Sequence, residues 1–488
     1  MRLGALLKEI DHRYVRGAWD GIDVCDVAYD SRCVRLGSLF VCIPGVVTDG
    51  HDFAADAVRQ GAAALLVTRE LLLDVPQVVV EDARDALAAV SAAFFGNGSA
   101  RMDVVGVTGT AGKTTVTYMV EHMVRQTGGN PGLIGTTGYR FAGHELPATL
   151  TTPVARDLQE LLGHMADAGC NVAALEVSSH AISTRRCAHT RFAVAAFTNL
   201  SREHMELHGT MEHYFQTKLR LLTDGDIQSR VVCAMDEGGR RVARHLRERC
   251  LAFYEVSAEP NAHVRLLSYV PRGLDGGLLE AEVCGTRVDV ELKVPGDFNA
   301  RNALIALGIA NSLGLDLPSS ARALESFTGA PGRMERIGEA DAHGFCVIVD
   351  YAHTPAELSN AMRVVRTSTD GRLAVVFGCG GERDPQNRPL MGRIAAEAEL
   401  AVVTSDNPLS EDPATIARQT VAGMGDRASH AVVRTDRREA IREALAWVRP
   451  GDTVLVAGKG HEQTQTVGGV TTPFDDRVVV REELARLA

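Results

Sequence analysis

Residues 102–116 read Met-Asp-Val-Val-Gly-Val-Thr-Gly-Thr-Ala-Gly-Lys-Thr-Thr-Val: apolar strand formers, a glycine-bearing turn, then a lysine and two threonines opening helical text. A strand that feeds a helix through so short a loop commits this part of the chain to an α/β sheet. It also builds an anion site, because backbone amides and the helix N-terminus converge on the loop. Gly109, Thr110, Gly112, Lys113, Thr114 and Thr115 form the candidate nucleotide loop. Small residues let the amides approach phosphate, Lys113 reaches the β and γ oxygens, and the Thr114 hydroxyl serves magnesium. Counted from Gly109, the spacing is two residues shorter than the full G-x-x-x-x-G-K-T pattern, and Gly106 precedes the loop. A bare strand–helix turn is the bland alternative, and Lys-Thr at the helix start weighs against it.

The cations sharpen this reading. The chain has only five lysines among its 51 basic residues, and three of them, Lys113, Lys218 and Lys459, lie in short motifs. A compact ammonium on a flexible stem does work that a broad, permanently charged guanidinium cannot.

A length of 488 residues exceeds one ordinary core and implies two to four domains. With a net charge of -11 and arginines scattered among acids, a nucleic-acid backbone binder is excluded. No apolar run reaches membrane-spanning length, and the first residues lack a signal-peptide core, so a cytoplasmic protein is expected. The ten cysteines show no C-x-x-C spacing and sit mostly in apolar text, which predicts buried free thiols.

Apolar strands alternate with helical text along the whole chain. Residues 1–98 predict a small α/β unit closed by a turn-rich linker, FGNGSARM. Residues 99–330 predict a mostly parallel α/β unit, broken between 263 and 295 by a small antiparallel patch. Residues 331–488 predict a third α/β unit with functional loops at strand C-termini.

Glu176 ends the strand text NVAALEV and precedes Ser178, Ser179 and His180, while His204 lies in TNLSREHMELHG. An acid at a strand end, an imidazole and the loop hydroxyl suit a magnesium that bridges phosphates. The glutamate is the better ligand, since magnesium prefers oxygen, and spacing leaves His208 and His213 as competitors of His204. Any of these imidazoles also suits a helix cap or a bond to a carboxylate.

The order of motifs resembles the Mur ligases, and within them the MurE-type branch that adds the third residue of the peptidoglycan stem peptide. The resemblance spans nearly the whole chain. It rests on DSR at 30–32, PGVVTDGHDF at 44–53, TGTAGKTT, LTTP at 150–153, EVSSHAI from Glu176, FTNLSREHMELHG, FNARNA, GRME, DYAHTP, FGCGGERD, SDNP and AGKGHE. It implies a three-domain architecture: a UDP-sugar domain, a central P-loop ATPase and a Rossmann-like lid. It implies ATP and Mg2+ as cofactors, and a UDP-linked muramoyl dipeptide and a free amino acid as partners of a monomer.

Carried over, Ser31 and the loop of His51 meet the uridine end, and Thr151, Thr152, Ser179 and Arg186 hold the diphosphate-sugar or peptide. Thr114, Glu176 and His204 contact the metal, with Lys218 carbamylated. Asn299 and Asn302 face adenine, while Arg333, Asp350 and His353 approach ribose and phosphates from the lid. Arg383, Asn407, Leu409, Gly458 and Glu462 surround the amino acid.

Three departures stand out. Ala111 replaces the family's usual asparagine, which predicts rearranged ATP contacts, and Thr184 stands where glutamine is common. Members that select meso-diaminopimelate usually read DNPR, and this chain reads DNPL at 406–409. Leu409 offers no donor to a distal carboxylate, and leaving that group unpaired costs desolvation. A basic side chain would instead need an acid, for which Glu411 and Asp412 are the nearest candidates.

Overall fold

The computed structural model describes residues 1–45 and 48–487, so Val46 and Val47 of the 44–53 motif lie outside the described residues. Three sheets follow one another along the chain, each covered on both faces. In the first, strands Asp26–Ala28, Ser38–Val41, Ala64–Val67 and Gln77–Val79 run parallel, and Tyr14–Arg16 joins the edge antiparallel. Strand alternation splits its core: Leu39 and Val41 enter one apolar layer, Phe40 and Cys42 the other.

The central sheet has eleven strands. At its heart Asp103–Thr108 lies between Val172–Glu176 and Phe192–Phe197, all parallel. Their C-terminal ends therefore open on one edge, where the Gly109, Val177 and Thr198 loops begin. Helices Lys113–Gln126 and Asp297–Ser312 pack together on one face of this sheet.

Strands Val264–Pro271, Gly277–Val283 and Thr286–Leu292 are antiparallel as expected, yet they form no separate patch. Val264–Pro271 pairs in parallel with Tyr254–Ser257, so the three extend the central sheet. A hairpin at the other edge, Gly138–Phe141 and His144–Leu146, was not read from the sequence. The FGNGSARM segment, expected as a turn-rich linker, is partly helical. It forms a short helix, Gly98–Arg101, and a Cβ at Gly98 would run into the Leu162 backbone.

In the third sheet Cys346–Asp350, Thr453–Ala457, Leu373–Cys379, Leu400–Ser405 and Ala431–Val433 are parallel, with Glu335–Arg336 antiparallel at the edge. A two-stranded hairpin, Thr464–Val467 and Val470–Pro473, stands beside it. Its loops, from Tyr351, Gly380, Asp406 and Gly458, face the central sheet. Arg202 Nη2 donates to Asp384 Oδ2 at 3.2 Å, and Arg363 Nη2 to Asp297 Oδ1 at 2.7 Å. The first unit is tied down by the Tyr29 hydroxyl on Asp157 (2.7 Å) and Arg156 Nη2 on Asp26 (3.1 Å).

All ten cysteines are free, but only Cys42, Cys170, Cys187, Cys233 and Cys379 are buried. Cys25, Cys33, Cys250 and Cys284 are exposed, contrary to expectation. Cys250 and Cys284 occupy left-handed turn positions, φ 55° and 47°, which place them at the surface.

Candidate active site

Gly109 leaves strand Asp103–Thr108 with φ 147°, and Gly112 caps helix Lys113–Gln126 with φ 88°. A Cβ at Gly109 would strike the Thr198 hydroxyl, so glycine is required there. The loop is held from the neighbouring strand end. Ala111 N–H donates to Asn199 Oδ1 (2.9 Å), while Asn199 Nδ2 and the Thr198 hydroxyl donate to the Ala111 carbonyl (2.9 and 2.6 Å). All three bonds use the Ala111 backbone rather than its side chain. Asn199 itself was missed; its place in the polar end of FAVAAFTNL, just past the strand Phe192–Phe197, was the available signal.

Lys113 Nζ folds back on the Gly109 and Thr110 carbonyls (3.0 and 2.7 Å), and the Thr110 hydroxyl donates to Ser201 O at 3.2 Å. Thr115 is buried beside Thr114. The Thr114 hydroxyl donates to Glu176 Oε2 at 2.9 Å. Glu176 is fully buried, and its carboxylate also accepts from Thr136 N–H (3.0 Å) and the Thr136 hydroxyl (3.1 Å). A Cβ at Gly135 would collide with that carboxylate, so the Gly135-Thr136 turn shapes the acid's seat. The Thr136 hydroxyl also meets Thr151 at 3.2 Å, and the Thr152 hydroxyl donates to Glu176 O at 2.7 Å.

Lys218 lies on helix Met211–Thr223, fully buried, with Nζ donating to Gly109 O at 2.7 Å and 4.6 Å from the Tyr214 ring centre. Burial, with Lys113 nearby, pushes its ammonium well below the usual lysine range. His204 sits in a left-handed position, φ 56°, with its ring 3.6 Å from Glu203 and 3.5 Å from Glu206. Burial lowers its pKa. Among the described residues its ring shares no hydrogen bond with Thr114 or Glu176. Of its competitors, His208 turns away to the Ser179 hydroxyl (2.9 Å), with burial pushing its pKa down to about 4, and His213 Nδ1 meets the His208 carbonyl at 3.0 Å.

Among the described residues no three His, Cys, Asp or Glu side chains gather into a metal cluster. Thr114 and Glu176 nonetheless present adjoining hard oxygens, which suits magnesium, an ion that needs only one or two carboxylates beside substrate phosphates.

From the third unit, Arg333 reaches Thr114 Oγ1 with Nη2 at 3.4 Å while its guanidinium lies 4.4 Å above the Tyr351 ring. Asp350 accepts from the Met334 and Ala352 amides (2.7 and 2.9 Å), so it holds its own loop, and burial raises its pKa. His353 bridges Glu357 (3.2 Å) and Glu203 (3.4 Å), across the two units. Burial works against its charge, but those two carboxylates raise its pKa to about 9. Asn299 donates to Pro295 O (2.8 Å), Asn302 to Asn299 (3.1 Å), and a Cβ at Gly112 would press on Asn302.

Around the third sheet's loops, Asn407 Nδ2 and Lys459 Nζ both donate to Glu462 Oε2 at 2.7 Å. Gly458, φ 119°, passes against Asp406. Leu409, φ 56°, pairs with the hairpin: its N–H donates to Thr466 O (3.2 Å) and its carbonyl accepts from Gly469 N–H (3.3 Å). Arg383 is well exposed and points to Glu206 (3.4 Å) of the central unit. Neither acid proposed for a basic side chain is available. Glu411 is taken by Arg388 (2.8 Å) and the Glu382 amide, and Asp412 caps helix Pro413–Ala422.

Between the first and central units, Arg84, His180, Thr184 and Arg186 line a cleft of about 110 Å³. Arg186 donates to Thr152 O at 3.0 Å, and burial lowers its pKa. Ser31 opens a short helical turn capped by Asp30. The His51 ring is buried, bonded to Asp49 Oδ1 (2.6 Å) and accepting from Thr68 N–H (3.0 Å), so the ring braces its loop.

Three family models cover most of the chain: the Mur ligase family catalytic domain at 24–95, the Mur ligase middle domain at 107–310 and the Mur ligase glutamate ligase domain at 332–460. A Geobacillus kaustophilus protein named UDP-N-acetylmuramoyl-L-alanyl-D-glutamate–2,6-diaminopimelate ligase is 40% identical, over 94% of each chain. The protein of the same name from Streptomyces coelicolor is 39% identical, over 95% of this chain and 93% of that one. A solved structure bearing that ligase name superposes with a TM-score of 0.70 at 30% identity, over 96% of both chains. A MurF ligase from Thermotoga maritima, solved with ADP, shares the fold with a TM-score of 0.63 at 20% identity, over 95% of this chain and 98% of that one. A phosphate loop braced by Asn199, an acid on its threonine, and these matches across all three sheets agree: the chain belongs to the Mur ligase family, the ATP-dependent ligases that form peptide bonds.

Proposed function

We propose that the chain joins an amino acid to the D-glutamate carboxylate of UDP-N-acetylmuramoyl-L-alanyl-D-glutamate through an acyl phosphate. The observation that carries this is Arg333 of the third unit touching Thr114 of the phosphate loop, which brings the third unit's loops against the nucleotide loop. A carboxylate is a poor electrophile. Its oxygen attacks the γ-phosphorus of ATP, ADP leaves, and the amine then attacks the acyl carbon and expels phosphate. Lys113 swings from the Gly109 and Thr110 carbonyls to the transferring phosphoryl group, and Arg333 adds charge from above. Thr114 and Glu176 would hold magnesium, with His204 and a carbamylated Lys218 nearby, and the ion would neutralise charge on the phosphates. The contact between units excludes water, which would hydrolyse the acyl phosphate.

The units 1–98, 99–330 and 331–488 serve the uridine nucleotide, ATP and the amino acid in turn. Arg186 and the cleft beside it suit the diphosphate, with Ser31, His51, Thr151, Thr152 and Ser179 shaping its surroundings. Asn302 lies against Gly112 of the loop and bonds Asn299, and the pair is assigned to the adenine. A cytoplasmic monomer fits ten free thiols and the lack, among the described residues, of a helix long and apolar enough to cross a membrane.

The relatives' names point to 2,6-diaminopimelate, and Leu409 points away from it. Two nearby cations are already engaged, Arg388 by Glu411 and Arg437 by Asp476. We therefore assign an amino acid without a distal carboxylate. The same departures, with Ala111 and Thr184, favour a second reading: a ligase of specialised metabolism that uses another acceptor. Purified enzyme given ATP, the UDP-dipeptide and a panel of meso-diaminopimelate, lysine, ornithine and apolar amino acids decides, by product mass. Turnover only with acceptors lacking the uridine nucleotide overturns the first reading.

A further inference from the structure

Lys459 is the lysine of the AGKGHE motif to which the reaction above gives no part. It is wholly buried, in a chain with only five lysines among 51 basic residues. Its Nζ lies 2.7 Å from Glu462 Oε2 and 3.3 Å from Asn407 Oδ1. Asn407 in turn gives its Nδ2 to the same Glu462 oxygen at 2.7 Å, and its Oδ1 accepts from the Thr466 amide at 3.0 Å. The three side chains form a closed triangle linking the loop after Leu400–Ser405 to the loop after Thr453–Ala457. Both donors meet Oε2; among the described residues Oε1 receives no hydrogen bond. Asp406 lies alongside, buried, with Oδ2 lacking a partner, so the Lys459 charge also offsets a second carboxylate.

We propose that Lys459 is a positioning residue for the amino-acid substrate, locking Glu462 in one rotamer so that Oε1 faces the substrate's ammonium. This rests on the proposed ligase reaction and on Glu462 binding its amino acid, as the resemblance to the Mur ligases implies. A buried ammonium with two fixed acceptors has little freedom, so Glu462 is set before the substrate arrives. Arginine does not substitute, because its fork is too broad for a site closed by Asn407 and the Glu462 loop. The residue acts through Glu462, touching neither ATP nor the UDP-dipeptide.

The test measures KM for all three substrates, using meso-diaminopimelate or L-lysine, whichever the wild-type enzyme prefers. K459M is expected to raise the amino-acid KM at least about tenfold, the loss of one charge-assisted hydrogen bond, with the other two KM values within about twofold. K459R is expected to behave like K459M. In K459A, added ethylammonium should restore part of the amino-acid affinity, a recovery that a generally misfolded lid would not show. An amino-acid KM within about twofold of wild type in K459M, or a parallel rise of all three KM values without amine rescue, overturns the proposal. E462Q separates the two readings. If it leaves the amino-acid KM unchanged, the placement of Glu462 fails; if it raises it while K459M does not, only the role of Lys459 fails.

Discussion

The Thr114 hydroxyl donates to Glu176 Oε2 at 2.9 Å, joining the first turn of the phosphate-loop helix to the end of the adjacent strand. The two residues are 62 positions apart, and parallel pairing of Asp103–Thr108 with Val172–Glu176 brings them together. E176Q keeps the shape and removes the charge. The expected result is a raised magnesium requirement and a rate at least about a hundredfold lower, with an unchanged melting temperature. A wild-type magnesium titration in E176Q would remove Glu176 from the metal site.

Among the described residues the Lys113 ammonium donates only to the Gly109 and Thr110 carbonyls, and its side chain is in no core cluster. K113A should abolish ATP-dependent turnover, by at least about a hundredfold, while circular dichroism and thermal unfolding stay close to wild type. Near-normal turnover would refute the phosphate-loop assignment.

Lys218 is buried and driven toward its neutral form, the form whose lone pair attacks carbon dioxide. Intact mass in bicarbonate should show one carbamate on the metal-bound enzyme, absent from K218A. K218A should lose more rate than ATP affinity. A free amine in the active, metal-bound state would count decisively against the modification.

Leu409 holds its loop through backbone bonds, so its side chain can change without loss of the loop. L409R is expected to increase meso-diaminopimelate use over lysine by about tenfold or more, read by competition and product mass. Preferential meso-diaminopimelate incorporation by the wild-type enzyme would refute the specificity argument and turn attention to Arg383, the exposed cation at the cleft.

His353 ties the third unit to Glu203. Its pKa rises from 6.5 to about 9 in the folded protein, so the folded form keeps a proton that the unfolded chain releases. The contribution is complete below pH 6.5 and is lost as pH climbs through about 9. Over that window the melting temperature of the wild type should fall more steeply than that of H353Q. Parallel slopes would dismiss the charged bridge.

Arg437 and Asp476 form a wholly buried pair at 2.6 Å, and Arg437 also bonds the Ser405 and Ala457 carbonyls. R437M or D476N alone should cost about 3–5 kcal/mol by chemical denaturation, and the double variant less than the sum. Additive losses would show that the two charges are not coupled.

What the chain settles by itself is local. Apolar text such as Val-Val-Gly-Val followed by Gly-Thr-Ala-Gly-Lys-Thr specifies a strand, a loop and a helix start, because alternation, turn glycines and caps act over a few residues. The candidacy of Glu176 followed from its place at a strand end. Tertiary structure alone decided which polar group each such residue meets. His208 and His204 read alike in sequence, but helix packing turns His208 to Ser179 and leaves His204 between Glu203 and Glu206. Glu411 and Asp412 stood beside Leu409 as free acids until Arg388 and a helix cap claimed them. Thr136, Asn199 and the bonding partners of Lys459 stayed hidden for the same reason. A side chain's hydrogen-bond partner depends on which strands become neighbours, and that follows from burial of whole apolar faces.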